Sequence, residues 1–272
     1  MNINLTGATR LNVIVGDPIA QVRSPGGVTQ AFIVRGYDAI LAPVQVAPAD
    51  LSDFLDVAAR LKNLDGVIVT VPHKFACYQH CASATDRADF IGSVNIMRRR
   101  SDGRWHGDIT DGQGFVGAAL SHGVDPKGKR ALLVGAGGAG SAIALALIDA
   151  GVRELAIHDA DAARRDRLIE RLNGRGKGRA MAGSADPTGF DLVCNATPAG
   201  MNEGDPLPVD VSKLAPTSYS GCVITKPAVS PFIAAARAKG CVTGTGTEMY
   251  ETLQETMVDF LLFSDTKSGA TS

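Results

Sequence analysis

The sequence predicts an α/β protein with a mainly parallel sheet arrangement and a dinucleotide-binding half. Three observations predict it. Short apolar runs alternate with segments of helical periodicity, one of those runs empties into a G-x-G-x-x-G loop, and an acidic residue follows one strand later.

The apolar runs are LNVIV (11–15), AILAPVQV (39–46), GVIVTV (66–71), ALLVGA (131–136), ELAIHD (154–159), DLVCNA (191–196) and GCVIT (221–225). They are short and bounded by Gly, Pro or Asp, as buried strands are. Between them PADLSDFLDVAARL, GSAIALALIDAG, ARRDRLIERL and PFIAAARAKG carry helical spacing. The charged, glycine-containing segments RRRSDGRW and HGVDPKGKR, between residues 100 and 130, are expected to be connectors between two units. The small polar tail SDTKSGATS is expected to be disordered.

A chain of 272 residues can bury a real core. Lys and Arg total 27 against 28 Asp and Glu, so no charge excess argues for nucleic acid or a membrane surface, and a small molecule is the expected partner. The amino-terminal stretch lacks a leader pattern and no 18 apolar residues run uninterrupted, which leads us to expect a cytoplasmic protein, either a monomer or a homodimer. Five irregularly spaced cysteines fit reduced thiols rather than a disulfide framework. Cys77 and Cys81 lie near His73 and His80, but C-x3-C without a second ligand pair matches structural zinc spacing poorly, so no metal is expected.

In ALLVGAGGAGSAIALALIDAG, Gly135, Gly137 and Gly140 have the dinucleotide-loop spacing. The first permits the tight turn, the second lets backbone approach a pyrophosphate, and the third lets the helix pack closely; Gly138 and Ala139 lie at the helix N-terminus that supplies donors. The next strand ends at Asp159, 19 residues beyond Gly140, where a carboxylate can accept from ribose hydroxyls. That acid would repel a 2′-phosphate, so NAD is favoured over NADP, although Arg164 and Arg165 could serve NADP. CNATPAGM (194–201) is a strand emptying into a small-residue loop at the edge where a nicotinamide is expected, with Asn195, Thr197 and Met201 as cofactor candidates.

The first half offers GDPIAQVRSP (16–25), GVIVTVPHK (66–74), IGSVN (91–95) and GDITDGQGF (107–115), each bearing polar side chains beside a strand. Together with the glycine loop, NATPAGM and KPAVSP, and in this order, they resemble the shikimate dehydrogenase family, which also contains quinate/shikimate dehydrogenases. The resemblance spans nearly the whole chain. It implies NAD(P)-dependent oxidation of a ring hydroxyl, with Lys74 and Asp111 as the catalytic pair and Ser24, Thr70 and Asn95 as substrate contacts. Thr225 and Gln254 fall near further family substrate positions. Hydride transfer at nicotinamide must be matched by proton transfer at the substrate oxygen, which a lysine in a closed site can provide.

Departures from the pattern are Val22 for the first serine of Ser-x-Ser, Ile68 for the asparagine of Asn-Val-Thr, Ile109 for that of Asn-Thr-Asp, and Thr225 for a tyrosine. Leu253 stands where the carboxy-terminal glutamine is expected, one place before Gln254. These changes predict a dehydrogenase with altered substrate specificity. The expected organisation is a substrate domain of residues 1–108 and 245–272, with a Rossmann domain of residues 109–244 between. A methylenetetrahydrofolate dehydrogenase-like enzyme and a non-catalytic nucleotide sensor on the same fold are the alternatives.

Overall fold

The computed structural model describes residues 4–263, so the expected disordered tail lies outside the described residues. The chain divides into two compact units, one of residues 1–110 with 254–272 and one of residues 111–253. The carboxy-terminal division falls at Leu253/Gln254, within one continuous helix.

The first unit contains β1 (Arg10–Gly16), α1 (Ser24–Val34), β2 (Ala39–Gln45), α2 (Leu51–Ala58), β3 (Leu64–Val69), α3 (Lys74–Gln79), β4 (Ser83–Ala84), α4 (Asp86–Ile91), β5 (Ile96–Arg99) and β6 (Trp105–Asp108). Its sheet has the order β2-β1-β3-β5-β6-β4. β1, β2 and β3 run parallel in register Ile14↔Pro43 and Ile14↔Ile68, while β5 is antiparallel to both β3 and β6.

The β5–β6 hairpin replaces the connector expected from RRRSDGRW. Its strand character is hidden by arginines whose guanidinium groups find partners inside the unit. Arg99 lies 5.1 Å over the Trp105 ring and donates to the carbonyls of Ala58, Ala59, Leu61 and Leu64, closing the end of α2. Arg98 is buried over the rings of Phe260 and Phe263.

The second unit contains α5 (Asp111–Ser121), β7 (Arg130–Val134), α6 (Gly138–Asp149), β8 (Glu154–His158), α7 (Ala162–Gly174), β9 (Ala180–Ala182), β10 (Leu192–Asn195), β11 (Tyr219–Cys222), α8 (Pro231–Ala238) and β12 (Val242–Gly244). Helix α9 (Gly246–Leu262) begins in this unit and ends in the first. The second sheet is parallel throughout, in the order β12-β11-β10-β7-β8-β9.

Strands β7, β8 and β9 progress toward one edge, then β10 returns to the other side of β7. The order therefore reverses between β7 and β10, and the crevice at the carboxyl ends of those two strands is where open α/β sheets bind ligands. The continuous apolar strands follow from burial on both faces. Leu132, Val193, Phe232 and Ile233 are all essentially inaccessible. Among the described residues, no helix is long and apolar enough to cross a membrane.

Candidate functional site

In the first unit the parallel strands end together, and their exits carry the candidate substrate residues. Gly16 is required at the end of β1, because a Cβ there would collide with Thr70 Cγ2 and lie 3.1 Å from the Val71 carbonyl. The two exits are laced by Thr70 N–H donating to Val15 O and Asp17 N–H to Val71 O. Ser24 opens α1; its hydroxyl is buried and has no hydrogen-bond partner among the described residues. A buried polar group without a partner costs stability unless something completes it.

Lys74 is the first residue of α3 and half-buried. Its carbonyl accepts from Val94 N–H at 3.0 Å. Thr70, at the exit of β3, is likewise half-buried. Asn95 is 1% exposed, its amide nitrogen donating to Thr110 Oγ1 at 3.0 Å and its Oδ1 accepting from Thr110 N–H at 3.0 Å. Asn95 thus fixes the residue immediately before Asp111. Asp108, two residues earlier than Thr110, is also buried and accepts from Arg87, from Thr85 Oγ1 and from the Ile109 N–H.

Two of the apolar departures, Ile68 and Ile109, are 3% and 1% exposed and pack in the interior. Val22 remains half-buried, two residues before Ser24. Leu253 is also a packing residue, since any Cβ at Gly114 of α5 would strike its side chain. Gln254 is half-buried and lies about 100° further round α9 than Leu253, on another face.

Asp111 begins α5 in the second unit and is 7% exposed. The nucleotide elements lie at the switch point of the second sheet. Gly135 has φ +104°, and a Cβ there would approach the Ala196 carbonyl carbon and Thr197 Cγ2 to 2.9 Å; at Gly140 it would strike the Gly135 carbonyl. At Gly137, by contrast, a Cβ would meet nothing within 4 Å, so the loop presents open backbone. Gly138 and Ala139 form the first turn of α6, whose leading N–H groups lack partners within the helix.

Asp159 clamps this loop. Its Oδ2 accepts from Ala136 N–H at 2.6 Å, and its Oδ1 accepts from Asp161 N–H at 2.8 Å and from Arg164 Nη2 at 2.7 Å. Burial pushes the carboxyl group's pKa up, but Arg164 and the two backbone donors outweigh it and leave it below the ordinary carboxylate value. A cavity of about 500 Å³ adjoins the clamp, lined among others by Val134, Asp159, Arg164, Thr197, Asn202 and Pro206. That volume is in the range of small-molecule and cofactor sites.

Asn195, expected as a cofactor contact, is engaged with its own loop. It is fully buried, its Oδ1 accepting from Thr197 N–H at 3.0 Å and Thr197 Oγ1 at 2.7 Å while its amide donates toward Ala199 O. It shapes the loop that brings Thr197 to the cavity. Met201 packs half-buried against the apolar core, and Thr225 is half-buried just beyond β11. The cysteines are free thiols, and burial pushes those of Cys77 and Cys81 up to about 12, so both are protonated at neutral pH.

Sequence reasoning did not single out His73, Asp108 or Thr110 as parts of these constructions. Their signal in the sequence is only closeness to Lys74 and Asp111. The partners of their side chains, Val46, Thr85 and Asn95, lie 27, 23 and 15 residues away, beyond what spacing reveals.

Residues 14–97 match the family model described as the shikimate dehydrogenase substrate binding domain. Over 255 residues the chain is 34% identical to a shikimate dehydrogenase (NADP(+)) of Rubrobacter xylanophilus, covering 90% of this chain and 88% of that protein. Its fold is similar to shikimate 5-dehydrogenase from Listeria monocytogenes, solved with shikimate and NAD, at TM-score 0.83 and 26% identity over 96% of this chain and 94% of that one. It is also similar to ligand-free 5-ketofructose reductase of Gluconobacter sp. strain CHM43, at TM-score 0.80 and 30% identity over 93% of each chain.

Proposed function

The chain belongs to the shikimate dehydrogenase family, and from that premise we propose that it is an NAD(P)-dependent dehydrogenase interconverting a ring hydroxyl and ketone of shikimate or a closely related cyclic hydroxy acid. What carries the reading is that one chain holds both parts of the chemistry. A clamped glycine loop at a sheet switch point is accompanied by a substrate-domain unit in which Lys74 and an unpartnered Ser24 hydroxyl stand at the strand exits. The family favours this over a methylenetetrahydrofolate dehydrogenase-like enzyme or a nucleotide sensor.

In this reading the unit of residues 1–110 with 254–272 handles substrate and residues 111–253 hold the cofactor. When bound, the nicotinamide accepts or returns the hydride. Lys74 takes the hydroxyl proton during oxidation and gives it back during reduction, so that alcohol and oxidised cofactor yield ketone, reduced cofactor and one proton. Asp111 is the second ionisable group of the reaction. Ser24 donates to a polar substrate group, and Thr70 and Gln254 offer further hydrogen bonds; Asn95 holds Thr110 in position beside Asp111.

For the cofactor, Gly135 to Gly140 receive the pyrophosphate, Asp159 and Arg164 face the adenosine side, and Thr197 faces the same cavity. We favour NAD. The relative named above is an NADP(+) enzyme, but here an ionised Asp159 lies at the cavity and its partner Arg164 is already paired, which disfavours a 2′-phosphate. The location we propose is cytoplasmic, with a monomer or homodimer as the active form.

A second reading has one observation in its favour. Val22 and Thr225 replace two groups expected to hold the substrate carboxylate, and the similar 5-ketofructose reductase is named for a ketose. Purified protein assayed with both cofactors against shikimate, quinate and 5-ketofructose tests both. Turnover of the cyclic acids supports the first reading, and turnover of 5-ketofructose alone supports the second.

A further inference from the structure

We propose that His73 is a positioning residue that fixes Lys74 through a hydrogen bond to the Val46 carbonyl. The proposal rests on the reading of Lys74 as the proton-transferring group. Helix α3 is only six residues long, and the position before it has no side-chain cap, so the helix alone cannot hold its first residue in a defined place. Something else must do so.

His73 is 1% exposed, and its ring Nε2 lies 2.8 Å from Val46 O. A carbonyl can only accept, so Nε2 carries the hydrogen and the ring is the donor. Val46 lies just beyond β2, where the ladder has ended, and its own N–H donates to Gly16 O at the end of β1. The His73 backbone completes the junction, its N–H donating to Thr70 O and its carbonyl accepting from Cys77 N–H. One imidazole therefore ties the exits of β1, β2 and β3 to the corner from which Lys74 emerges. The carbonyl of Lys74, held by Val94, closes the other side.

An apolar residue could fill the space of the ring but would leave the buried Val46 carbonyl without this donor, and the corner would relax. Proton transfer requires hydrogen-bond reach between lysine and substrate oxygen, and a displacement of about 1 Å in such a group can cost about a hundredfold in rate.

The test compares the parent enzyme with His73→Leu, His73→Gln and Lys74→Ala. The glutamine amide nitrogen can occupy the position of Nε2 and restore the donor, whereas leucine cannot. We expect His73→Leu to lower kcat tenfold to a hundredfold with KM for substrate and cofactor within about twofold, and to change the labelling rate of Lys74 by an amine-selective reagent read by mass spectrometry. His73→Gln should recover kcat to within about threefold of the parent. If His73→Leu does not fold, His73→Asn, whose shorter side chain does not reach Val46, takes its place. Unchanged kcat and labelling in the donor-less variant would overturn the proposal, as would equal losses in the glutamine and donor-less variants. A Lys74→Ala enzyme as active as the parent would instead overturn the reading of Lys74, an outcome separable from the behaviour of His73.

Discussion

Lys74 is the residue on which the proposed reaction turns. Removing a group that moves the proton costs typically a hundredfold to ten-thousandfold in rate, so Lys74→Ala should lower kcat by at least that lower bound while the affinity for cofactor, read by calorimetry, stays within a few-fold. Asp159 makes a prediction in pH. Its folded-state pKa is depressed by Arg164 and two backbone donors against the opposing effect of burial. Its contribution to stability is therefore fully present above the ordinary carboxylate value of 3.8 and is lost as pH falls below that value through the folded pKa. Denaturant midpoints between pH 6 and pH 3 should fall more steeply for the parent than for Asp159→Asn, by about the span over which an aspartate titrates. Under the proposed NAD preference, the same variant should raise the ratio of NADP to NAD efficiency by about tenfold, since one negative charge at the cavity is gone.

Among the elements, the glycine loop and α6 form the most tightly specified join. A methyl group at Gly140 would strike the Gly135 carbonyl, a backbone atom that cannot rotate away. Gly140→Ala should cost about 1–3 kcal/mol in denaturant unfolding and weaken cofactor binding through displacement of the loop. The β5–β6 hairpin teaches the opposite lesson about legibility. The loop's glycine spacing could be read directly because its causes are local: a left-handed turn at Gly135 and a close approach at Gly140. The hairpin could not, because RRR looks like solvent-exposed sequence until Trp105, Phe260 and the carbonyls at the end of α2 are brought beside it.

The whole molecule was legible where the chain repeats a period or a motif. Seven strands and four helices read from apolar runs and spacing are present, and the alternation implied the parallel second sheet. What resisted reading was burial without periodicity. Ile68 and Ile109, departures expected at the pocket, are both buried, and the amide of Asn195, expected as a cofactor contact, is engaged by its own loop. Their burial and partners are set by three-dimensional neighbours that the sequence pattern does not display. Ser24, with its buried hydroxyl, and half-buried Val22 are the positions of the proposed substrate site whose exchange tests which cyclic hydroxy acid is used. The most direct test of the central claim is the initial rate of cofactor reduction by the purified protein with shikimate as the hydroxyl donor, NAD and NADP measured side by side. The account predicts sustained turnover, faster with NAD; cofactor binding by calorimetry with no reduction of either cofactor by shikimate or quinate would contradict it.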